Sequence, residues 1–186
     1  MKRLLSSFLL AAAGLAVAPL ASATVLTFDD LSGDDFVPAS YGGLDWSAGD
    51  WFAFGDAQPP FSAHSGSMRI ASGFGDADAA TAIGLGDGKT FQGAWFAGYE
   101  DVSVSFQLYE HGTLVATSAT LATSATPTWL ASGYAGLVDE VIVSSADQGG
   151  FVLDDFTFSA AVPEPGPAAL LAAGLLALAA VARRRT

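Results

Sequence analysis

The chain contains no cysteine and no asparagine. Without cysteine, disulfide bonds are excluded, so an exported domain of this sequence depends on its core or on a bound metal. Without asparagine, acceptor sites for N-linked glycosylation are excluded as well. Packing, hydrogen bonding and metal ligation are therefore the sources of stability that remain.

Basic residues are also scarce, and most of them lie near the two ends of the chain. The sequence has seven lysine and arginine residues against nineteen acidic ones. Outside Lys2, Arg3 and Arg183–Arg185, only Arg69 and Lys89 remain. With all nineteen acidic residues counted, these two leave a net charge of about −17. Such a surface repels nucleic acid and anionic membranes and attracts cations, so no nucleic-acid partner is expected.

The first 23 residues have the pattern of a secretory signal peptide. Two basic residues form a positively charged start, an apolar run extends from Leu4 to Ala18, and Ala21 and Ala23 form a small-residue cleavage site. We expect signal peptidase to cleave after Ala23. Residues 24–161 then form one exported domain of ordinary size.

The C-terminal tail, residues 162–186, has a break, an apolar run and a basic end. Proline residues hold the break extended, and the apolar run would span about 25 Å as a helix, at the low end of what crosses a bilayer. The tail is therefore predicted to be a transmembrane helix. Its terminal arginines favour the cytoplasmic side of the membrane. The residues are, in order, Pro163, Glu164 and Pro165, the apolar run 166–182, and Arg183, Arg184 and Arg185.

This tail closely resembles the PEP-CTERM sorting signal of Gram-negative bacteria. The resemblance covers the tail alone, and it implies recognition and cleavage near the Pro-Glu-Pro motif by an exosortase, a membrane transpeptidase. It also implies that the exported domain is anchored transiently in the inner membrane and then delivered to the cell surface or extracellular matrix. An ordinary C-terminal membrane anchor is the alternative interpretation.

Residues 24–161 have the sequence character of an all-β domain. Short β-branched and aromatic stretches are separated by Gly, Asp, Ser and Pro, and helical periodicity is scarce. Glu110-His111-Gly112 is predicted to form a hairpin turn. The strand spacing predicts a two-sheet β-sandwich, of the jelly-roll rather than the immunoglobulin type. The predicted strands are Val25–Asp29, Trp51–Phe54, Ser67–Ala71, Phe91–Ala97, Val102–Tyr109, Thr113–Leu121, Thr128–Ser132, Glu140–Ser144 and Phe151–Phe158.

Two acidic doublets lie at the end of the first predicted strand, Asp29-Asp30, and inside the last one, Asp154-Asp155. Side chains alternate between the two faces of a strand. This period puts Asp154 on one face of the last strand and Asp155 on the other, and both faces are otherwise apolar. At least one carboxylate is therefore expected to point toward the core. The face of Asp154 also holds Val152, Phe156 and Phe158, and that of Asp155 holds Phe151, Leu153 and Thr157.

A buried carboxylate requires hydrogen-bond donors, a cation or protonation. Because lysine and arginine are nearly absent, Ca²⁺ with oxygen ligands is a candidate. Pairing of the first and last strands could bring Asp29 or Asp30 to Asp154 or Asp155, an arrangement that loosely resembles the structural calcium site of jelly-roll carbohydrate-binding modules. In the alternative, the aspartates lie at strand ends, solvated or accepting N–H bonds from turns.

Aromatic residues give the remaining indication of a ligand. Trp and Tyr offer flat amphipathic rings suited to sugars. Trp46 and Trp51, which flank the turn Ser47–Asp50, are predicted to be the most exposed and to bind such a ligand. His64 and His111 lie in Gly/Ser-type turns, where solvent exposure is expected, and neither is assigned a catalytic role.

Two functions from different classes are compatible with these patterns. The first is a non-enzymatic surface or matrix protein with an exopolysaccharide as candidate ligand. The second is a secreted hydrolase that acts on glycans or esters through carboxylates, since glycoside hydrolysis requires only two suitably spaced acids. The first is preferred because the sequence has no complete catalytic motif.

Overall fold

The structure is a computed structural model that describes residues 22–72 and 80–161, together with residues 171, 172, 174, 175 and 183. The chain divides into two compact units, one formed by residues 21–161 and the other by residues 1–20 and 162–186.

The described part of the larger unit consists of β-strands joined by turns and one short 3₁₀ helix at Gln148–Gly150. The strands are β1 (Ala23–Leu26), β2 (Asp35–Phe36), β3 (Ser40–Tyr41), β4 (Leu44–Asp45), β5 (Trp51–Phe54), β6 (Arg69–Ser72), β7 (Ala82–Gly84), β8 (Lys89–Gly98), β9 (Ser103–Glu110), β10 (Thr113–Thr117), β11 (Leu121–Ala122), β12 (Thr128–Ala131), β13 (Glu140–Ser145) and β14 (Phe151–Ala160).

These strands form two antiparallel sheets of seven strands each. In sheet I the order is β12-β8-β14-β6-β5-β2, and β1 also pairs with β14. In sheet II the order is β10-β9-β13-β7-β4-β3, and β11 also pairs with β9. The predicted all-β sandwich of two sheets is confirmed, whereas its assignment to the jelly-roll type stays a prediction.

The two sheets pack through an aromatic core. Phe91 of β8 meets Phe106 of β9 edge to face, with ring centroids 4.7 Å apart, and Phe156 of β14 stacks on Phe91 at 4.6 Å. In β9, Val104, Phe106 and Leu108 are buried completely, and the residues between them point away from the core. Each fully buried side chain of this kind stabilises the fold by about 1.5–3 kcal/mol.

All nine predicted strands correspond to observed ones, and the hairpin at residues 110–112 joins β9 to β10 as predicted. His111 and Gly112 both have positive φ, 49° and 72°, as a tight hairpin turn requires. The predicted strand Thr113–Leu121 is divided into β10 and β11. The sequence does not predict β2, β3, β4 or β7, because strands of two or three residues carry no measurable period.

A β-bulge in β14 makes the prediction that Phe156 and Phe158 share the face of Asp154 wrong. The pairing of β14 with β8 shifts register between Asp154 and Thr157, and Asp155 has a φ of +48°. The extra residue moves Phe156 and Phe158 onto the core side, which they share with Phe151 and Leu153. Asp154 therefore shares the outer face with Val152, and the regular period ends at Asp155.

The second unit is described at only a few residues, Leu171, Ala172, Gly174, Leu175 and Arg183, which are helical. Ala21, Pro163, Glu164, Pro165, Arg184 and Arg185 lie outside the described residues. A helix long and apolar enough to cross a membrane does not occur among the residues that the structure describes. Ala23, the last residue of the predicted signal peptide, pairs with Ser159 at the start of β1.

Candidate functional site

The outer face of sheet I is apolar, although it points away from the core. Strand register aligns Ala97, Val152, Ala71 and Phe52 across β8, β14, β6 and β5. With Phe54 and Phe61, these side chains form a second apolar cluster, separate from the main core. An antiparallel sheet with one free face usually carries polar residues there. The composition of this face therefore indicates that something covers it.

The covering segment, residues 55–68, connects β5 to β6 and lies over part of this face. Arg69, which follows it, is 2% exposed and holds it in place. The guanidinium carbon lies 3.9 Å from the ring centroid of Phe54, within cation–π distance. Burial lowers the pKa of this guanidinium, while nearby Asp154, Asp34 and Asp56 oppose that shift. Its N–H groups donate to the carbonyl oxygens of Phe61 (2.9 Å), Phe54 (3.2 Å), Ser67 (3.0 Å) and Asp56.

The Asp154-Asp155 doublet binds the covering segment from below. An Asp154 carboxylate oxygen accepts the backbone N–H groups of His64 and Ser65 at 2.7 and 2.9 Å. One Asp155 oxygen lies 2.6 Å from His64 Nδ1, and the other accepts the Ser65 hydroxyl at 2.6 Å. Asp154 is 2% exposed and Asp155 7%. Both carboxylates thus have protein donors in place of a solvent shell.

Burial raises the pKa of Asp154 to about 6, because the charged carboxylate has lost water. The nearby charge of Asp155 acts in the same direction. The N–H groups of Ser65, Asp155 and His64 favour the ionised form and limit the rise. The carboxylate that anchors the covering segment is therefore half protonated at mildly acidic pH.

The Asp29-Asp30 doublet follows β1, and its two carboxylates bind different parts of the protein. Asp29 accepts the backbone N–H groups of Ser67 and Met68, at 2.9 and 3.0 Å, and thereby fixes the end of the covering segment. Gly66 has a φ of +50°, and a Cβ there would lie 2.1 Å from the Asp29 carboxylate oxygens. Asp30 accepts the Tyr41 hydroxyl, and burial together with this bond raises the pKa of Tyr41.

The first and last strands do pair, with Leu26 opposite Phe156. The two doublets hold neighbouring parts of one segment, residues 64–65 and 67–68, and each accepts backbone N–H bonds from it. Asp29 and Asp30 follow β1, whereas Asp154 and Asp155 are buried inside β14. Among the described residues, the group whose ligand atoms come within 4.8 Å of one another consists of Asp87, His111 and Asp139 rather than these aspartates. Calcium at Asp29, Asp30, Asp154 and Asp155 stays a prediction.

A groove remains open beside the covering segment. Its cavity volume is about 180 Å³. Apolar rings form most of its wall, and Gln58 and Asp34 add an amide and a carboxylate, which can hydrogen-bond to hydroxyl groups. We call it the outer groove, and it is lined by Asp34, Phe52, Phe54, Gln58, Phe61, Ala71 and Gly149.

Two half-exposed aromatic rings extend the outer groove. Phe36 on β2 is 59% exposed and packs edge to face on Phe52, with centroids 5.5 Å apart. Tyr99, after β8, is 49% exposed and packs in the same way on Phe61 at 5.2 Å. Flat apolar rings with neighbouring hydrogen-bonding groups suit a ligand that has both C–H faces and hydroxyls.

A second aromatic group lies on the same sheet face, at β8 and β12. Trp95 and Trp129 are directly opposite in the ladder, with ring centroids 5.9 Å apart. The His64 imidazole stacks on Trp95 at 3.5 Å, with the planes 11° apart. The half-buried Trp95 is therefore covered on one side by the imidazole that Asp155 holds.

The prediction that Trp46 and Trp51 are exposed ligand-binding residues is wrong. Each is 1% exposed, and their rings meet edge to face at 6.3 Å inside the core. Trp46 also packs on Phe28 and Phe156, and its indole N–H donates to the Tyr41 carbonyl at 3.0 Å. The turn between the two tryptophans is at the surface, but both rings point inward and fill the core.

The expected exposure of the two histidines holds for His111 and only in part for His64. The His111 side chain is 73% exposed, and its Nε2 lies 3.8 Å from Asp87 Oδ1. The His64 side chain is 34% exposed and is fixed between Asp155 and Trp95. The Ser65 hydroxyl donates to Asp155, so His64 and Ser65 together attach the covering segment to β14.

Sequence reasoning misses the residues of the outer groove, although one signal for them exists. The strand Trp51-Phe52-Ala53-Phe54 is apolar at every position, and all four residues are buried. A strand that is apolar on both faces must be covered on both. That pattern identifies an occupied outer face at Phe52 and Phe54 before the covering segment is known.

No family model and no curated protein matches this chain. Among solved structures, the chain is similar to a mutant of CBM29-2, a family 29 carbohydrate-binding module, at 16% sequence identity and a TM-score of 0.41. The match covers 76% of this chain and 94% of that one. A similarity of this size does not transfer that protein's function to this chain.

Proposed function

We propose that this chain is a non-enzymatic surface or matrix protein whose outer groove binds a polysaccharide. The observation that carries the proposal is the outer groove itself, together with the half-exposed rings of Phe36 and Tyr99. Exposed rings beside a polar-edged apolar groove are unusual on the free face of a sheet and mark interaction surfaces.

The groove favours binding over hydrolysis. Among the described residues that line it, Asp34 is the one carboxylate, whereas glycoside hydrolysis uses a pair flanking the scissile bond. Asp154 and Asp155 are close in space but lie beneath His64 and Ser65, where they accept hydrogen bonds. These two carboxylates anchor the protein's own backbone.

The proposal includes export, and this part rests on the two ends of the sequence. Signal peptidase cleaves after Ala23, and the tail with Pro163, Glu164 and Pro165 holds the protein in the inner membrane until exosortase processing. Replacing both prolines by alanine should leave unprocessed protein in the membrane fraction, visible as a larger band on an immunoblot. Normal release of that variant would reject the sorting step alone.

The binding step is tested by adsorption of the full-length chain, in mild detergent, to a panel of insoluble polysaccharides. We expect Tyr99→Ala and Phe36→Ala to weaken binding, because each removes a ring that borders the groove. Leu114→Ala is the matched control, since Leu114 is 50% exposed on β10 of sheet II. Equal binding by all three variants, or no binding to any polysaccharide, would reject the proposed site.

A further inference from the structure

Acidic groups surround the outer groove. Asp34 lines it and is exposed, and Asp35 precedes the exposed Phe36 ring. The exposed Asp147 accepts the N–H of the groove residue Gly149 at 3.1 Å. Asp56, Glu100 and Asp101 are also exposed, on the covering segment and directly after Tyr99. A ligand in the groove therefore lies in a negative field.

Cationic side chains offset this field only in part, through Arg69, which lies near enough to Asp34 and Asp56 for their charges to act on its pKa. Residues 22–161 contain eighteen acidic residues but only Arg69 and Lys89 as bases. Arg69 is 2% exposed and gives its N–H groups to four backbone carbonyls. Lys89 donates to the Leu85 carbonyl and lines a different pocket, with residues of sheet II. A ligand in the groove thus meets no available guanidinium or ammonium group from the described residues.

From this charge distribution we infer that the outer groove selects a polysaccharide bearing protonated amines, such as a deacetylated hexosamine polymer. The inference rests on the proposed function, because it names the chemical class of ligand for the same groove. Uronate or sulfated polymers carry the same sign of charge as the groove and are excluded by repulsion.

The amine and the sugar ring each have a complementary group. The ammonium is attracted by the carboxylates and by the faces of the half-exposed aromatic rings. The C–H faces of the sugar pack on the apolar walls, and Gln58 can hydrogen-bond to hydroxyls. Selection thus requires both the amine and the ring, which separates this ligand from a simple polycation.

The test measures binding of the full-length chain, in mild detergent at mildly acidic pH, to four soluble probes. These are a glucosamine hexamer, its N-acetylated counterpart, a uronate hexamer and hexalysine. We expect the glucosamine hexamer to bind about tenfold more tightly than the acetylated one, and this ratio to fall as salt rises from about 0.02 to 0.3 M. The uronate hexamer should not bind detectably.

Two variants localise the effect. Asp34→Asn should weaken glucosamine binding about threefold, as expected for one exposed charge pair, and leave N-acetylglucosamine binding unchanged. Asp87→Asn removes an equal charge from the exposed turn between β7 and β8, outside the groove lining, and should change neither affinity. Tyr99→Ala should weaken both sugars but not hexalysine.

The outcomes separate the two claims. Equal or tighter binding of the neutral or uronate probe, still sensitive to Tyr99→Ala, would overturn the amine selectivity and keep the groove as a sugar site. Hexalysine binding as tight as the glucosamine hexamer, insensitive to Tyr99→Ala, would reduce the effect to overall charge and overturn the inference. Absence of sugar binding with or without Tyr99 would overturn the proposed function itself.

Discussion

The outer faces of the two sheets differ although both belong to antiparallel sheets of one sandwich. On sheet II the outward side chains of the central strands are mainly polar and include Ser103, Ser105, Gln107, Glu140 and Ser144. On sheet I the corresponding positions are mainly apolar, apart from Asp154, and include Trp129, Trp95, Ala97, Val152, Ala71 and Phe52. One face meets solvent directly, and the other meets the protein's own covering segment and the outer groove.

The difference shows how the domain maintains an apolar outer surface without exposing all of it. Residues 55–68 shield part of the surface, and buried polar groups, chiefly Arg69 and Asp154, hold them there. These polar groups have partners that lie far apart in the sequence. The stability of sheet I should therefore depend on a few buried charged side chains, and that of sheet II should not.

Replacing Arg69 should give the largest loss of stability, because this side chain holds the covering segment on sheet I. Arg69→Met removes the donors of four carbonyl bonds and should lower the free energy of unfolding by about 4 kcal/mol, at roughly 1 kcal/mol for each bond. The measurement is urea unfolding of the full chain. Lys89→Ala removes the other base of the domain and should cost less than about 1 kcal/mol. Similar losses in the two variants would contradict the anchoring role of Arg69.

Gly66→Ala should give the next largest loss. The alanine must adopt a φ of +50° and its Cβ overlaps the Asp29 carboxylate, so we expect about 3 kcal/mol of destabilisation. Gly112→Ala is the control on sheet II, because Gly112 has a φ of +72° and no atom within 4 Å of the added Cβ. It should cost about 1–2 kcal/mol, for the backbone alone. Equal losses would show that Asp29 moves away freely.

Asp154 should give an intermediate effect that depends on pH. Its folded pKa, raised to about 6, means that folding favours the protonated acid, so its stabilising contribution is present below pH 4 and lost as pH rises through 6. The stability of the wild type relative to Asp154→Asn should therefore fall by about 2 kcal/mol between pH 4 and pH 7. Urea unfolding at several pH values measures this difference.

For Asp45 on sheet II, we expect the stability difference between wild type and variant to change with pH in the opposite direction. Hydrogen bonds from the Ser47 hydroxyl and N–H lower the pKa of this exposed carboxylate, so its contribution is lost as pH falls. The wild type should gain stability relative to Asp45→Asn as pH rises. Slopes of the same sign for Asp45→Asn and Asp154→Asn would contradict the assigned environments.

The sequence is sufficient to predict most strands of the core, but it does not predict the arrangement of side chains on the outer face of sheet I. The strand predicted at Val102–Tyr109 is observed as β9, and β5 is predicted with its observed bounds. The bulge at Asp155 cannot be read from the period, because it depends on a positive φ that tertiary contacts stabilise. For the same reason Phe156 and Phe158 are assigned to the face of Asp154, whereas they lie on the core side.

The hydrogen-bond partners of the acidic residues also depend on tertiary contacts. Composition indicates that a buried carboxylate has few basic side chains to bond, and Asp154 accepts backbone N–H groups, although the charge of Arg69 lies nearby. The donors are backbone N–H groups of His64 and Ser65, about ninety residues earlier in the chain. Every residue except proline has a backbone N–H group, so the sequence does not show which of these groups will bond to Asp154. Trp46 and Trp51 show the converse, since a polar turn between two aromatic residues does not reveal which way the rings point.

The smallest expected effect concerns the rings that border the outer groove. Phe36, Tyr99 and Leu114 are 59%, 49% and 50% exposed, so each alanine variant should lose only about 0.5–1 kcal/mol of stability. The three variants should unfold at nearly the same urea concentration, whereas only Phe36→Ala and Tyr99→Ala should weaken adsorption to polysaccharide. A stability loss above about 2 kcal/mol for Phe36→Ala or Tyr99→Ala would mean that the ring supports the covering segment. The aromatic surface of sheet I would then be a structural device, and its contrast with sheet II would not concern a ligand.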